Sequence, residues 1–252
     1  MSQNLMSNSG NICPACKGMG WETYDATVYD YGLPKIITYA RSCSKCSGSR
    51  HINDKTGVPG EFCDADIGKF RWDVYGMDLS KMQKVIMSVF NQWQQWHQCG
   101  KGIYLWSKTP GSGKTFLACC MAKSIMLKYD LQMRFITAPD YIAAVGDSYK
   151  RERGERDPTQ VYRECALLVL DDIGAQTGKE WQQQEMFRLI NQRVSNGLVT
   201  IFTSNLHVED LNVDDRTKDR IIKASVVMPM PEKSIRRLKA KKEQEEFLKN
   251  II

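Results

Sequence analysis

The chain has 252 residues, 42% of them hydrophobic and 25% charged, which is typical of a globular protein with one ordinary domain and a small second one. The polar start of the sequence predicts neither a signal peptide nor a membrane span, so we expect a cytoplasmic protein with no membrane partner. The net charge is +6, and Lys233 to Lys242 alone contains six basic and no acidic residues. Such a strip either binds a polyanion such as nucleic acid or forms a solvated helix face.

Two cysteine pairs near the start of the chain have the two-residue spacing of zinc thiolate ligands. We therefore predict a small zinc-binding module over residues 1–66, with four cysteines around one Zn²⁺ and a hairpin between the pairs. A redox-active pair is the alternative, and Cys63 is a candidate replacement ligand. The remaining cysteines lie in or beside apolar stretches and are predicted to be core residues. The pairs are Cys13 with Cys16 and Cys43 with Cys46, and the predicted core cysteines are Cys99, Cys119, Cys120 and Cys165.

Residues 67–98 are predicted to be a connector that leads into an amphipathic helix. Asp78 or Ser80 is placed to cap this helix. The apolar residues that follow have helical spacing, and they are Met82, Val85, Ile86, Val89, Phe90 and Trp93.

From Gly102 onward, short β-branched or aromatic runs alternate with helical patterns. This alternation predicts an α/β domain over residues 99–240, in which a mostly parallel sheet lies between two layers of helices. A charged tail over residues 241–252 would follow it. The predicted strands are GIYLW (102–106), MRFITA (133–138), ALLVLDD (166–172), VTIFTSN (199–205) and VVMPM (226–230).

The stretch LWSKTPGSGKTF, after the first of these strands, predicts a phosphate-binding loop that opens a helix. In this loop Lys114 would hold the β- and γ-phosphates of ATP, and Thr115 would ligate Mg²⁺. Lys108 stands where the pattern asks for a first glycine, and if that position needs a positive φ, Lys108→Gly would stabilise the protein. The predicted nucleotide-binding residues are Pro110, Gly111, Ser112, Gly113, Lys114, Thr115 and Phe116.

Two later strands end on polar residues that suit the same site. In LLVLDDIG, Asp171 would hold Mg²⁺ and Asp172 would orient the attacking water. An aspartate is one methylene shorter than the glutamate usual in such ATPases, so we expect slow hydrolysis; the alternative is that Asp172 only caps a turn. In TIFTSN, Asn205 is delivered to the same edge of the sheet.

The segment between the second and third predicted strands is rich in charge. It carries five basic and six acidic residues with tyrosines between them. Such a segment either grips a single nucleic-acid strand through phosphate contacts and stacking or is a solvated helix and loop. The tyrosines are Tyr141, Tyr149 and Tyr162.

In the order of these motifs, the chain resembles the DnaC/DnaI-type helicase loaders of bacteria and their phages, which are AAA+ ATPases of the initiator clade in the IstB-like ATP-binding family. The resemblance implies that Lys114, Asp171, Asp172 and Asn205 serve ATP hydrolysis, with Asn205 as the first sensor. It also implies that Arg216, or alternatively Arg220, is the arginine finger, and that Arg236 is the second sensor.

The same resemblance implies the partners. The N-terminal module would bind a hexameric replicative DNA helicase, and the ATPase domain would self-associate around single-stranded DNA and release the helicase on hydrolysis. Two alternatives stay open: a transposition helper ATPase of the IstB type that acts on double-stranded DNA, and an ATP-gated binding module with negligible turnover.

Overall fold

The computed structural model describes residues 21–30, 33–42, 56–150, 152, 155–174 and 179–251. The chain divides into two compact units, Met1–Asp64 and Ala65–Ile252, close to the predicted boundary after residue 66. The predicted zinc ligands all lie outside the described residues, and they are Cys13, Cys16, Cys43 and Cys46.

The first unit contains the predicted hairpin. Strand β1 (Trp21–Asp30) pairs antiparallel with β2 (Leu33–Ser42), and Asp30 lies opposite Leu33. The rings of Tyr24 and Tyr39, which are opposite each other, stack with centroids 5.8 Å apart. Such cross-strand pairs are the main side-chain interactions that stabilise a two-stranded ribbon.

The second unit has a five-stranded parallel sheet in the order β4-β5-β6-β3-β7, which confirms the α/β fold. Short 3₁₀ helices cover Ile67–Lys69, Asp73–Tyr75 and Val208–Asp210. The strands are β3 (Gly102–Trp106), β4 (Met133–Thr137), β5 (Leu167–Asp171), β6 (Val199–Ser204) and β7 (Ser225–Pro229). The helices are α1 (Ser80–Asn91), α2 (Trp93–Gln98), α3 (Lys114–Tyr129), α4 (Ala138–Ser148), α5 (Gln160–Glu164), α6 (Glu180–Ser195), α7 (Asp215–Ala224) and α8 (Ile235–Ile251).

The continuous apolar runs of β5 and β6 explain their central place in the sheet. Every residue of both strands is buried, as expected for parallel strands covered on both faces. On one face, Tyr104, Leu168 and Phe202 pack with residues of α4, α6 and α7 in a single cluster. Because parallel strands all end at one edge, the residues that follow β3, β5 and β6 are brought together there.

The start of β3 approaches β6 too closely for any side chain. A Cβ atom on Gly102 would lie 1.9 Å from the carbonyl oxygen of Thr200. We therefore expect Gly102→Ala to lower the free energy of unfolding by about 3 kcal/mol, since the backbone must shift. Urea denaturation measures this change.

Gly146→Ala is the matched control for this prediction. Gly146 lies within α4, and the nearest atom to an added Cβ is on Trp181, 4.0 Å away. We expect the free energy of unfolding to rise by about 0.5 kcal/mol, because alanine favours a helix over glycine. Equal effects of the two substitutions would contradict the close approach at β3.

The helix after the connector follows the apolar pattern, since α1 buries Met82, Ile86 and Val89. The predicted cap is only partly met: Asp78 Oδ1 accepts from the backbone N–H of Ser80 at 2.9 Å, but the N-cap residue is Leu79, whose side chain makes no capping hydrogen bond. The predicted core positions of Cys119, Cys120 and Cys165 are confirmed, but that of Cys99 is wrong. Cys99 is exposed because it follows α2, where the chain turns at Gly100 with a φ of +59°.

Of the two alternatives for the charged segment, the nucleic-acid grip cannot involve Tyr141. Its side chain is fully buried beside α6, and its hydroxyl accepts a hydrogen bond from Arg163, so it cannot stack on a base. Tyr162 is half-buried and packs edge-on against Tyr141, whereas Tyr149 is 67% exposed. Helical spacing within α4 places Tyr141 on the apolar face of the helix.

Helix α8 continues through residue 240, where the predicted ATPase domain ends. Part of the basic strip forms ion pairs within this helix. Lys239 Nζ lies 3.7 Å from Glu243 Oε1, and Lys241 Nζ lies 3.9 Å from Glu245 Oε1. These pairs are exposed and contribute little stability. Across the residues that the structure describes, no helix has the length and apolar character needed to span a membrane.

Candidate functional site

The loop between β3 and α3 has the geometry of an anion site. Gly111 and Gly113 adopt φ values of +75° and +94°, which only glycine adopts without strain. Both are also crowded: a Cβ on Gly111 would lie 2.9 Å from Arg236 Cβ, and one on Gly113 would lie 2.8 Å from Tyr75 Oη. Gly113 is also the N-cap residue of α3, so the loop leads directly into the N-terminus of this helix, whose first backbone amides favour a negative group.

Lys108 is compatible with the loop although glycine was expected there. In the part of the chain that the structure describes, the non-glycine residues with positive φ are Asp130 and Asp172, so Lys108 is not strained. Its backbone N–H donates to Glu232 Oε1 at 2.8 Å. The condition for a stabilising Lys108→Gly substitution is therefore not met, and added chain freedom in the unfolded state makes a small loss of stability the expected result.

The ammonium of Lys114 is buried in this loop, with 7% of the residue exposed. All of its recorded hydrogen-bond acceptors are uncharged oxygens. Burial lowers its pKa, and the nearby carboxylates of Asp172, Glu232 and Asp171 counteract this in part. A buried cation held by neutral groups is stabilised by an incoming anion. The acceptors are the Ser107 carbonyl at 3.1 Å, the Thr109 carbonyl at 3.3 Å, Ser112 Oγ at 3.3 Å and Asn205 Oδ1 at 2.9 Å.

Asp171 ends β5 beside the first turn of α3. Thr203 Oγ1 donates to Asp171 Oδ1 at 2.5 Å, and Asp171 also forms a hydrogen bond with the side chain of Thr115. Burial raises the pKa of Asp171, while these hydroxyl groups act in the opposite direction. A carboxylate and a hydroxyl beside a phosphate loop fit Mg²⁺, which takes one or two carboxylate ligands together with phosphate oxygens and water.

Asp172 has a left-handed backbone with a φ of +54°. Its N–H donates to Thr203 Oγ1 at 3.0 Å, and its carboxylate accepts from Asn205 Nδ2 at 3.1 Å. Since Asn205 also accepts from Lys114, a continuous chain of hydrogen bonds joins Lys114, Asn205 and Asp172. This contact favours a role in the site over simple capping of a turn.

The predicted arginines separate into two positions. The backbone N–H of Arg236 donates to the Gly111 carbonyl at 3.2 Å, and the charge of Arg236 contributes to the lowered pKa of Lys114. Arg216 is exposed on α7; its recorded contacts are with the ring of Phe187 at 5.1 Å and Asp214 at 3.8 Å. Arg220 is half-buried on the same helix. The structure thus brings Arg236 to the loop and leaves Arg216 turned outward.

Two residues that support the loop are not predicted from sequence. Tyr75 Oη donates to the Ser112 carbonyl at 2.6 Å, and burial raises the pKa of Tyr75 to about 12. The Glu232 carboxylate accepts from Thr109 Oγ1 at 2.6 Å as well as from Lys108. The only signal for Glu232 is its place just before the stretch KSIRR, and Tyr75 has no local signal.

The chain is similar to known replication proteins. Residues 85–244 match the sequence profile of the family described as IstB-like ATP binding protein. Over 113 residues it is 31% identical to the replicative helicase loader DnaI of Bacillus subtilis (strain 168), covering 44% of this chain and 35% of that protein. Over 142 residues it is 30% identical to the chromosomal replication initiator protein DnaA of Paraburkholderia xenovorans (strain LB400), covering 55% of this chain and 26% of that protein. The chain thus spans about a third or less of the length of these relatives.

Solved structures show the same fold. A crystal structure of the DnaC helicase loader superposes with a TM-score of 0.61 at 20% identity, over 69% of this chain and 100% of that one. A crystal structure of DnaI gives a TM-score of 0.60 at 19% identity, over 70% and 96%. AMPPCP-bound DnaA from Aquifex aeolicus gives 0.55 at 20% identity, over 75% and 56%. Together with the sequence matches, these confirm the resemblance found from the motifs.

Proposed function

Since the chain belongs to the family of IstB-like ATP binding proteins, we propose that it is an ATP-dependent helicase loader that hydrolyses ATP slowly, as a switch in DNA replication. The observation that carries this proposal is the buried Lys114 ammonium, which lies among uncharged acceptors beside the Asp171 and Thr115 pair. A Mg²⁺–ATP complex supplies the anion that Lys114 lacks and the cation that suits Asp171.

Each residue of the site then has a defined task. Lys114 would exchange its loop carbonyls for the phosphates, and Thr115 and Asp171 would hold Mg²⁺, which would neutralise part of the phosphate charge. Asn205 and Asp172 orient the attacking water. Arg236 approaches the phosphates from its own subunit, and Arg216 reaches the site of a neighbouring subunit. The outward position of Arg216 supports this division.

We propose the binding partners of this chain from the descriptions of its relatives. DnaI of Bacillus subtilis is a replicative helicase loader, and a DnaC helicase loader shares the fold. A DnaA structure that contains AMPPCP and single-stranded DNA has a TM-score of 0.54. We infer that this chain binds a hexameric replicative helicase through residues 1–66, and that it self-associates on single-stranded DNA.

Complex formation with the helicase tests this function. The 252-residue chain is mixed with the replicative helicase of its host, single-stranded DNA and ATP, and the masses of the complexes are measured. We expect a complex that forms with ATP and dissociates as ATP is hydrolysed. With Lys114→Ala, ATP should no longer change the complex. No association between folded proteins at micromolar concentrations would overturn the loader function.

A transposition helper is the second candidate, because the family match itself bears the IstB description. The two functions predict different DNA dependence. A loader should be stimulated by single-stranded DNA, whereas a helper should be stimulated by double-stranded DNA and should activate a transposase. Steady-state phosphate release with each DNA form separates them.

Asp172→Asn tests whether the site turns ATP over. We expect ATP turnover to fall about 100-fold, because the substituted amide cannot accept a proton from water. Stability should change by less than about 0.5 kcal/mol, since asparagine also tolerates a left-handed backbone. Phosphate release and urea denaturation measure the two effects.

Asp130→Asn is the matched control for this prediction. Asp130 has a φ of +48° at the end of α3, away from the phosphate loop, so its substitution should leave turnover unchanged. If Asp172→Asn has wild-type turnover, Asp172 is not the catalytic carboxylate. If the wild-type rate does not exceed that of Lys114→Ala, the chain is an ATP-gated binding module.

Zinc is proposed for the N-terminal module from its four cysteines. No group of three or more metal-ligating side chains is found where the structure describes the chain, and the four cysteines lie elsewhere. We expect about one zinc per chain by mass spectrometry, and its loss with Cys13→Ser or Cys43→Ser. Cys99→Ser, at an exposed position, is the control. Zinc loss with Cys63→Ser would make Cys63 a ligand.

A further inference from the structure

The segment that joins β7 to α8 lies along the phosphate loop. This segment, Met230–Arg236, is called the strap here. The backbone N–H of Met230 donates to the Trp106 carbonyl at 2.7 Å, and that of Ile235 donates to the Gly111 carbonyl at 2.9 Å. The strap therefore follows the loop from the end of β3 to its first glycine in the left-handed conformation.

Glu232 is the side chain of the strap that holds the beginning of the loop. One carboxylate oxygen accepts from the Lys108 backbone N–H at 2.8 Å, and the other accepts from Thr109 Oγ1 at 2.6 Å. Hydrogen bonds to an ionised acceptor are stronger than those between neutral groups. Two such bonds to consecutive residues fix both the position and the orientation of this end of the loop.

Lys233, the next residue, ties the strap to the connector. Its ammonium donates to the carbonyl of Val74 at 2.8 Å and to that of Tyr75 at 3.2 Å. Tyr75 in turn donates to the Ser112 carbonyl at 2.6 Å. The loop is thus held by Glu232 at its beginning and by Tyr75 just before α3, and Lys233 connects the two supports.

Arg236 ends the strap directly over the loop. Its Cβ lies 2.9 Å from the position that a Cβ on Gly111 would take, and its N–H donates to the Gly111 carbonyl. Its charge also lowers the pKa of the buried Lys114. The charges of Lys114 and Arg236 repel each other, so the contacts between strap and loop, at Glu232 and at the Gly111 carbonyl, must keep Arg236 in place when no nucleotide is bound.

We propose that Glu232 is a positioning residue that couples the phosphate loop to Arg236 and so makes the site prefer a nucleoside triphosphate over a diphosphate. The inference rests on the proposed ATP site. With Glu232 in place, the loop and Arg236 move as one body, and the γ-phosphate meets both Lys114 and Arg236. Without it, Arg236 withdraws from Lys114, and the site keeps only the contacts that ATP and ADP share.

The ratio of ATP to ADP affinity tests this coupling in the 252-residue chain. Dissociation constants for a non-hydrolysable ATP analogue and for ADP are measured by titration calorimetry with Mg²⁺. We expect Glu232→Ala to weaken the analogue about 10-fold, the effect of one lost charge-assisted contact, and ADP less than about 2-fold. Arg236→Ala should change the two dissociation constants by the same factors. The double substitution should weaken binding of the analogue no further than Arg236→Ala alone.

Conservative substitutions of Thr109 and Glu232 test whether the hydrogen bonds between Glu232 and the loop set the affinity ratio. Thr109→Val removes one of the two bonds to Glu232 and should lower the affinity ratio, whereas Thr109→Ser retains the hydroxyl and should restore it. Glu232→Gln keeps an acceptor for Lys108 and should give an intermediate ratio.

Two outcomes would overturn the coupling. Equal loss of analogue and ADP affinity in Glu232→Ala and Thr109→Val would show that Glu232 only stabilises the loop. Additive effects of Glu232→Ala and Arg236→Ala would show that Glu232 does not act through Arg236. A wild-type protein that binds neither nucleotide would overturn the ATP site itself, and the inference with it.

Discussion

Lys114→Ala is expected to weaken ATP binding about 100-fold and to abolish ATP turnover, the largest effect of any substitution in the site. The buried ammonium donates to oxygens of the phosphate loop, and its loss removes charge-assisted hydrogen bonds to the phosphates with a combined value of about 3 kcal/mol. At about 1.4 kcal/mol for each tenfold change, this corresponds to the expected loss of affinity. Titration calorimetry with a non-hydrolysable analogue measures it.

Stability should change little in this variant, or should rise. Burial of the Lys114 ammonium has a desolvation cost, and no carboxylate in direct contact offsets it. Alanine therefore removes an unfavourable buried charge together with four hydrogen bonds. Lys84→Ala is the control, because Lys84 is an exposed lysine of α1, away from the loop. Unchanged ATP affinity in Lys114→Ala would show that the loop does not bind phosphates.

Arg216→Ala is expected to lower ATP turnover about 1,000-fold in the assembled protein while leaving ATP affinity of the isolated subunit unchanged. An arginine supplied by a neighbouring subunit stabilises the charge that develops on the transferred phosphoryl group, an effect of about this size. The guanidinium is exposed although it borders Phe187 and Asp214, so a second subunit can reach it. Phosphate release at concentrations that permit self-association measures the effect.

Arg220→Ala distinguishes the two candidate fingers, since both arginines lie on α7. If Arg220→Ala instead abolishes turnover, Arg220 is the finger and Arg216 is a surface residue. Mixing Arg216→Ala with Lys114→Ala subunits should restore part of the activity, because each variant supplies what the other lacks. Weaker ATP binding by the isolated Arg216→Ala subunit would contradict a role between subunits.

The sheet could be predicted from sequence because its strands are short apolar runs bounded by turns. The polar residues at the ends of these strands lie near the phosphate loop for the same reason, since parallel strands deliver Asp171 and Asn205 to one edge of the sheet; their roles in ATP hydrolysis stay predictions. Tyr75 and Glu232 could not be predicted, because they reach the loop across 37 and 124 residues of chain. Local spacing carries no information about such contacts.

The failed expectations have similar physical causes. A tyrosine among charged residues suggested a stacking surface, but the helix of Tyr141 turns it into the core. Cys99 lies between the tryptophans of α2 and the apolar strand β3, yet the chain leaves the interior before it. The question of Lys108 depended on a backbone angle, which its side-chain type alone does not determine.

The hydrogen bond from Tyr75 to Ser112 has a consequence for how the protein can be shortened. The family match begins at residue 85, so a chain trimmed to residues 85–244 would keep Lys114, Asp171 and Asn205. It would nevertheless lack the phenol that supports the loop and the carbonyls that anchor Lys233. Val74 and Tyr75 are therefore structural supports of the phosphate loop, and we expect a minimal ATP-binding fragment to need both.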